Sequence, residues 1–153
     1  MTSETKGPAE GVAELSQAYR ALLDGGQVGW NASRPFLKPL GTGGQGVVYL
    51  SDRRGADGFT IPVAIKVFSP EGFIDEPSYV EAMGRIARIS ARIAQVQHDN
   101  LLNLHNFVDR GGIRILVMEW IDGYDLRQLL NRKTSYHFVS PFLVLLIPEP
   151  TVI

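Results

Sequence analysis

Apolar positions change their spacing several times along the chain, and each change marks an element. Val12, Leu15, Tyr19 and Leu22 recur at helical intervals, with Ala13, Ala18 and Ala21 filling in, until Gly25-Gly26 stops the pattern. The spacing predicts a short amphipathic helix. It either docks on the domain that follows or on a partner, or it hangs as a loosely attached extension; the second reading is adopted. From Pro35 the period shortens to that of strands. Phe36 to Leu40 leads into a glycine-rich stretch, Val47 to Ser51 leads out of it, and Phe59 to Phe68 follows after the polar turn Asp52 to Gly58. Ser69-Pro70-Glu71-Gly72 ends the third strand.

A longer helical run comes next. Ile86, Ile89, Ile93 and Val96 form an apolar stripe, with Arg85, Arg88 and Arg92 as a basic one beside it, which predicts about five turns from Ser78 to Gln97. Leu101 to Val108 and Ile113 to Trp120 then read as strands joined by a hairpin turn at Asp109-Arg110-Gly111-Gly112. Leu126 to Asn131 reads as a short helix with Asp125 at its N-cap. The end of the chain, Phe138 to Ile153, is apolar but broken by Pro141, Pro148 and Pro150, and its longest unbroken apolar run is the six residues Phe142 to Ile147. A bilayer span needs about twenty, so no membrane span is expected.

Composition narrows the partners. Fifteen basic against 16 acidic residues give no bulk electrostatic reason to bind nucleic acid or a membrane surface, so partners must be argued locally. The absence of cysteine excludes a disulfide framework and any thiolate metal site or nucleophile, and fits a reducing cytoplasm. His98, His105 and His137 show no ligand spacing, and no metal site is expected. Met1 to Gly11 is polar, carries both signs of charge, lacks the regions of a signal peptide and is expected to be disordered. No repeat at solenoid periods is visible.

The candidate chemistry lies at Leu40-Gly41-Thr42-Gly43-Gly44-Gln45-Gly46-Val47-Val48, a G-x-G-x-x-G-x-V pattern, followed by Val63-Ala64-Ile65-Lys66. Glycine lets a backbone approach phosphates closely and tolerates positive φ, while a lysine supplies the compensating charge. The dinucleotide-binding fold uses a similar glycine pattern. It requires strand, loop and then helix, with an acid roughly twenty residues on. Here strand residues follow the glycines and Lys66 stands where the acid would be.

Glycine loop between two strands and lysine on a third: this resembles a protein kinase, most closely the bacterial serine/threonine family. The resemblance runs from about residue 36 to 131 and implies an α+β fold, the kinase small lobe, with a five-stranded antiparallel sheet, one main helix (helix C), the N-terminal helix and a short C-terminal helix and tail. The implied division is 1–33 as N-terminal extension, 34–131 as small lobe, hinge and next helix, and 132–153 as a tail of unknown role. The implied function is transfer of the ATP γ-phosphoryl group to a protein hydroxyl. Leu40, Val48, Ala64 and Met118 would wall the adenine, with Gly41, Gly43 and Gly46 over the phosphates and Lys66 on them. The backbones of Glu119 and Ile121 would meet the adenine edge and Asp125 the ribose. ATP is the implied cofactor, and Mg2+ follows from the family alone.

Two departures qualify this. Helix C in the family carries a glutamate that pairs with the lysine, about nine residues before His98-Asp99-Asn100-Leu101, where this chain has Ile89. An acid on the same face appears only at Glu81. Glu81 either reaches Lys66 or closes a capping box, Ser78-x-x-Glu81, and the box is favoured. The family's H-R-D and D-F-G motifs, with the catalytic base and the metal-binding acid, are also missing, since no aspartate follows Asp125. The chain is therefore expected to be a truncated kinase, its last 22 residues covering an exposed lobe face or following a frameshift or misjudged gene end; the latter is favoured. The alternative is a catalytically inactive nucleotide-binding or scaffolding module.

Overall fold

Pro8–Asp24 forms α1 in a computed structural model that describes residues 8–29 and 33–123. Helix therefore starts within the stretch expected to be disordered, at Pro8, and α1 is not loosely attached. Leu15 and Tyr19, one helical turn apart, are 7% and 6% exposed and belong to the main core. Burial of two such side chains stabilises by about 1.5–3 kcal/mol each, enough to seat a helix. The pattern showed an apolar face but not what covers it.

A small antiparallel ribbon, β1 (Gln27–Gly29) and β2 (Ser33–Pro35), precedes the main sheet and was not signalled by the sequence. The main sheet holds β3 (Lys38–Gly43), β4 (Gly46–Arg54), β5 (Thr60–Phe68), β6 (Leu104–Arg110) and β7 (Ile113–Glu119), in the spatial order β3-β4-β5-β7-β6 with every pairing antiparallel. The five-stranded antiparallel sheet is thus as expected. β5 lies at its centre, where Val63, Ile65 and Val67 are fully buried. The β6–β7 turn is a two-glycine hairpin. Gly111 and Gly112 have φ of 56° and 85°, the positive pair that a type I′ turn requires.

The main helix, α2, spans Glu76–Ile93, starting two residues before and ending four before the predicted bounds. Asp75 is its N-cap. The Asp75 carboxylate accepts from the Ser78 amide at 2.8 Å, and Ser78 Oγ accepts in return from the Asp75 amide. The capping box is therefore Asp75 with Ser78, and the expected Ser78–Glu81 box is not formed, because Ser78 already lies inside the first turn. The inward face is also rotated from the predicted stripe. Tyr79, Met83 and Ser90 are buried and Ile86 packs against the core, whereas Ile89 is 56% exposed and Val96, beyond the helix end, is 50% exposed. Tyr79 ties three elements together: its hydroxyl donates to the Phe68 carbonyl at 3.3 Å and accepts from the Arg114 amide at 3.0 Å. The expected C-terminal helix, Leu126 to Asn131, and the tail lie outside the described residues.

Candidate nucleotide site

Strand register brings the predicted residues together. In an antiparallel ladder, residues directly opposite share a face and neighbours along a strand alternate. Val48 is opposite Lys66, which is opposite Leu116; Leu50 is opposite Ala64, which is opposite Met118. Val48, Ala64, Lys66 and Met118 therefore occupy one face of the sheet, with Leu50 and Leu116 beside them. The buried Val63, Ile65 and Val67 point to the other. Leu50 and Leu116 were missed, although alternation from Val48 reaches Leu50 directly.

The glycine stretch is a tight hairpin rather than an open loop. Gly41 and Gly43 are part of β3, Gly43 pairs with Gly46, and Gly44-Gln45 make the turn. The glycines differ in what they do. At Gly46, φ is +128° and a Cβ would fall 2.0 Å from the Val67 carbonyl oxygen, so only glycine fits. At Gly41, Gly43 and Gly44 a Cβ would meet nothing within 4 Å, which leaves open backbone that a phosphate can approach. Leu40 lies at a bulge between Pro39 and Gly41 and is exposed.

Lys66 reaches the turn. Its Nζ donates to Gln45 Oε1 at 3.0 Å and sits 4.9 Å from the centroid of the Phe68 ring, close enough for a cation–π attraction. Both neighbours are neutral. Among the described residues no carboxylate pairs with Lys66, and burial holds the ammonium below the usual lysine range. Glu81 is exposed and falls in line with Arg85, Arg88 and Arg92 at helical spacing, on the face turned away from Tyr79 and Met83. Neither the lysine pair nor the cap expected of Glu81 is formed. Gln45 carried no signal in the sequence, since its contact spans 21 positions.

At the far end of this face, β7 ends at Glu119 and Trp120 to Gly123 follow. The Glu119 amide donates to the Asn103 carbonyl at 2.8 Å, so a base edge at this residue can use only its carbonyl. Ile121 is half-buried. Asp125 lies outside the described residues. The donor and apolar set fits an adenine nucleotide: an ammonium beside open glycine backbone, with aliphatic side chains along the adjoining strands. Among the described residues no group of three His, Asp or Glu could hold a metal ion, and no helix is long and apolar enough to cross a membrane.

This arrangement sets a lysine against the turn of a glycine hairpin on one face of an antiparallel sheet. A family model for protein tyrosine and serine/threonine kinases matches residues 35–146, and the chain belongs to that family. It is 30% identical over 104 residues to the tyrosine-protein kinase MasK of Myxococcus xanthus and 33% identical over 104 residues to the probable LRR receptor-like serine/threonine-protein kinase MEE39 of Arabidopsis thaliana. These matches cover 66% of the chain but 16% and 10% of those relatives. Among solved structures, the kinase domain of Mycobacterium tuberculosis PknI matches at a TM-score of 0.52 and 27% identity, over 69% of this chain and 39% of that one. The apo form of PpkA-294, at 17% identity and a TM-score of 0.58 over 70% of this chain and 42% of that one, shares the fold.

Proposed function

We propose that this chain binds ATP and serves as the nucleotide-clamping small lobe of a protein serine/threonine kinase, which transfers the γ-phosphoryl group to a protein hydroxyl. The observation that carries the reading is the Lys66 ammonium lying against the turn of the glycine hairpin, on the same sheet face as Val48, Ala64 and Met118. Gly41 and Gly43 present open backbone to the phosphates while Gly46 sets the turn, and Lys66 adds charge. Leu40, Val48, Ala64 and Met118 enclose the adenine; the Glu119 carbonyl and the Ile121 backbone take its edge, and Asp125 takes the ribose. Phosphoryl transfer depends mostly on positioning and charge neutralisation, and these residues supply the part that acts on the nucleotide. Mg2+ is the metal the family uses; the described residues offer it no ligand cluster, and its binding is left to acids elsewhere in a complete kinase. A cytoplasmic setting suits ATP and a cysteine-free chain.

A second reading, a nucleotide-binding or scaffolding module without transferase activity, is favoured by one observation: Lys66 has neutral partners in place of the family's glutamate. The test is an ATP-dependent rise in melting temperature of the purified chain. The rise should vanish in Lys66→Ala, and NAD should produce none. Phosphate transfer by the same chain, lost in Lys66→Ala, would overturn the module reading; stabilisation indifferent to Lys66 would overturn both.

A further inference from the structure

We infer that Gln45 is a positioning residue for Lys66: its side-chain carbonyl, in the place of a helix carboxylate, holds the ammonium beneath the glycine turn where nucleotide phosphates arrive. This rests on the ATP reading above and deepens it.

Three observations fix Gln45 in that position. Its backbone carbonyl accepts from the Ser69 amide at 3.1 Å, pinning the turn to the end of β5. Gly46, with no room for a Cβ beside Val67, lets the hairpin lie flat on the same strand. Gly46 also pairs with Phe68, so the turn is registered against the residues that flank Lys66. From that root the Gln45 side chain meets Nζ at 3.0 Å. No acid on α2 competes, since Glu76 lies at the helix start against Gly11 of α1 and Glu81 is on the exposed arginine-lined face.

An amide acceptor has a different consequence from a carboxylate. An ammonium has three N–H donors; Gln45 takes one and leaves two for phosphate oxygens, so holding the lysine and binding the nucleotide do not compete. A neutral acceptor also leaves the positive charge uncompensated. The phosphates become its counter-charge, which ties the effect of Gln45 to the phosphates and not to the base.

The experiment is calorimetric titration of the full chain with ATP, ADP and adenosine, for wild type, Gln45→Ala, Lys66→Ala and the double variant. Gln45→Ala should weaken ATP and ADP by roughly tenfold, the scale of one hydrogen bond to a charged group, and leave adenosine unchanged. The double variant should bind no more weakly than Lys66→Ala alone, because Gln45 acts through the lysine. Tighter or unaltered ATP binding in Gln45→Ala overturns the inference, as does an equal loss for adenosine or an additive loss in the double variant. Wild type that binds ATP in a Lys66-dependent way while ignoring Gln45→Ala sinks this inference alone. Wild type that binds no ATP sinks the ATP reading with it. Gln45→Leu, which keeps bulk without the acceptor, should match Gln45→Ala; wild-type ATP affinity in it also overturns the inference.

Discussion

The Glu119 carboxylate is bonded twice to Asn103, accepting from its side-chain amide at 2.8 Å and its backbone amide at 3.2 Å, while the Glu119 amide donates back to the Asn103 carbonyl at 2.8 Å. These three bonds brace the last residue of β7 against the segment that leads into β6. The strand end cannot shift without breaking them. Glu119→Ala removes two and is expected to lower stability by about 1 kcal/mol. Because the brace precedes the segment proposed to meet the base, the same variant should weaken adenosine and ATP by a similar factor, read by titration. That even-handed loss distinguishes it from Gln45→Ala.

Gly46 and Gly43 separate folding from ligand approach within one hairpin. Alanine at 46 would drive its Cβ into the Val67 carbonyl at a φ of +128°, and it should cost about 2–3 kcal/mol of stability. Alanine at 43 meets nothing within 4 Å and should change stability by about 0.5 kcal/mol at most. Its methyl would stand where phosphates are proposed to approach, so ATP affinity should fall while the melting temperature holds. A stable Gly46→Ala, or a Gly43→Ala with wild-type ATP affinity, would contradict this division.

On the proposed ATP reading, the charge state of Lys66 should make ATP binding depend on pH. Burial lowers its pKa from the ordinary 10.5 in the free protein; phosphates close to the ammonium favour the charged form and raise it again in the complex. The complex then holds the proton more tightly than the free chain. Affinity is therefore full below the free-protein pKa and falls as pH rises through it, with the decline beginning below 10.5. Lys66→Arg stays charged throughout this range. Titrations between neutral and alkaline pH should show a falling affinity for wild type and a flat profile for the arginine variant.

What could be read from the sequence follows from which interactions are local. Val48, Ala64, Lys66 and Met118 were named from the resemblance to the family's motifs, and the strand register puts the four on one face of the sheet. The glycines were legible as a group, but that 46 alone among 41, 43 and 46 demands glycine was not, because the demand comes from the Val67 carbonyl on the neighbouring strand. Contacts across the sheet were not. Gln45 meets Lys66 and Asn103 meets Glu119 only after hairpins of unknown register have closed. The phase of α2 failed on its start: taking Ser78 as the cap hid Asp75, and counting apolar residues from Ile86 missed Tyr79, whose hydroxyl disguises the largest fully buried side chain among the described residues. The lysine's missing acid was visible, but its neutral replacement was not.

Helix α1 is expected to be part of the lobe's stability. Leu15 packs where Gly112 turns, so closely that a Cβ on that glycine would lie 2.5 Å from Leu15 Cδ2. Leu15→Ala should cost about 2–5 kcal/mol, as for other buried leucines, read as a drop in the denaturation midpoint. Arg20→Ala, which removes an exposed ion pair with Glu71 at 2.9 Å, should cost under about 1 kcal/mol. Equal and negligible effects of the two would mean that α1 does not dock.

Ser51 is the opposite case, a residue whose removal should help. It is fully buried on β4 opposite Val63, and among the described residues its hydroxyl has no hydrogen-bond partner. A buried hydroxyl without a partner has lost its water and gained nothing in exchange. Ser51→Ala deletes that group at nearly constant backbone demand and leaves little space behind, so stability should rise by about 1 kcal/mol. Thermal unfolding of the variant at neutral pH measures it. ATP affinity should not change, because Ser51 lies on the sheet face away from Lys66, with Tyr49 and Val63. A loss of stability instead would show that the hydroxyl is bonded in the folded chain.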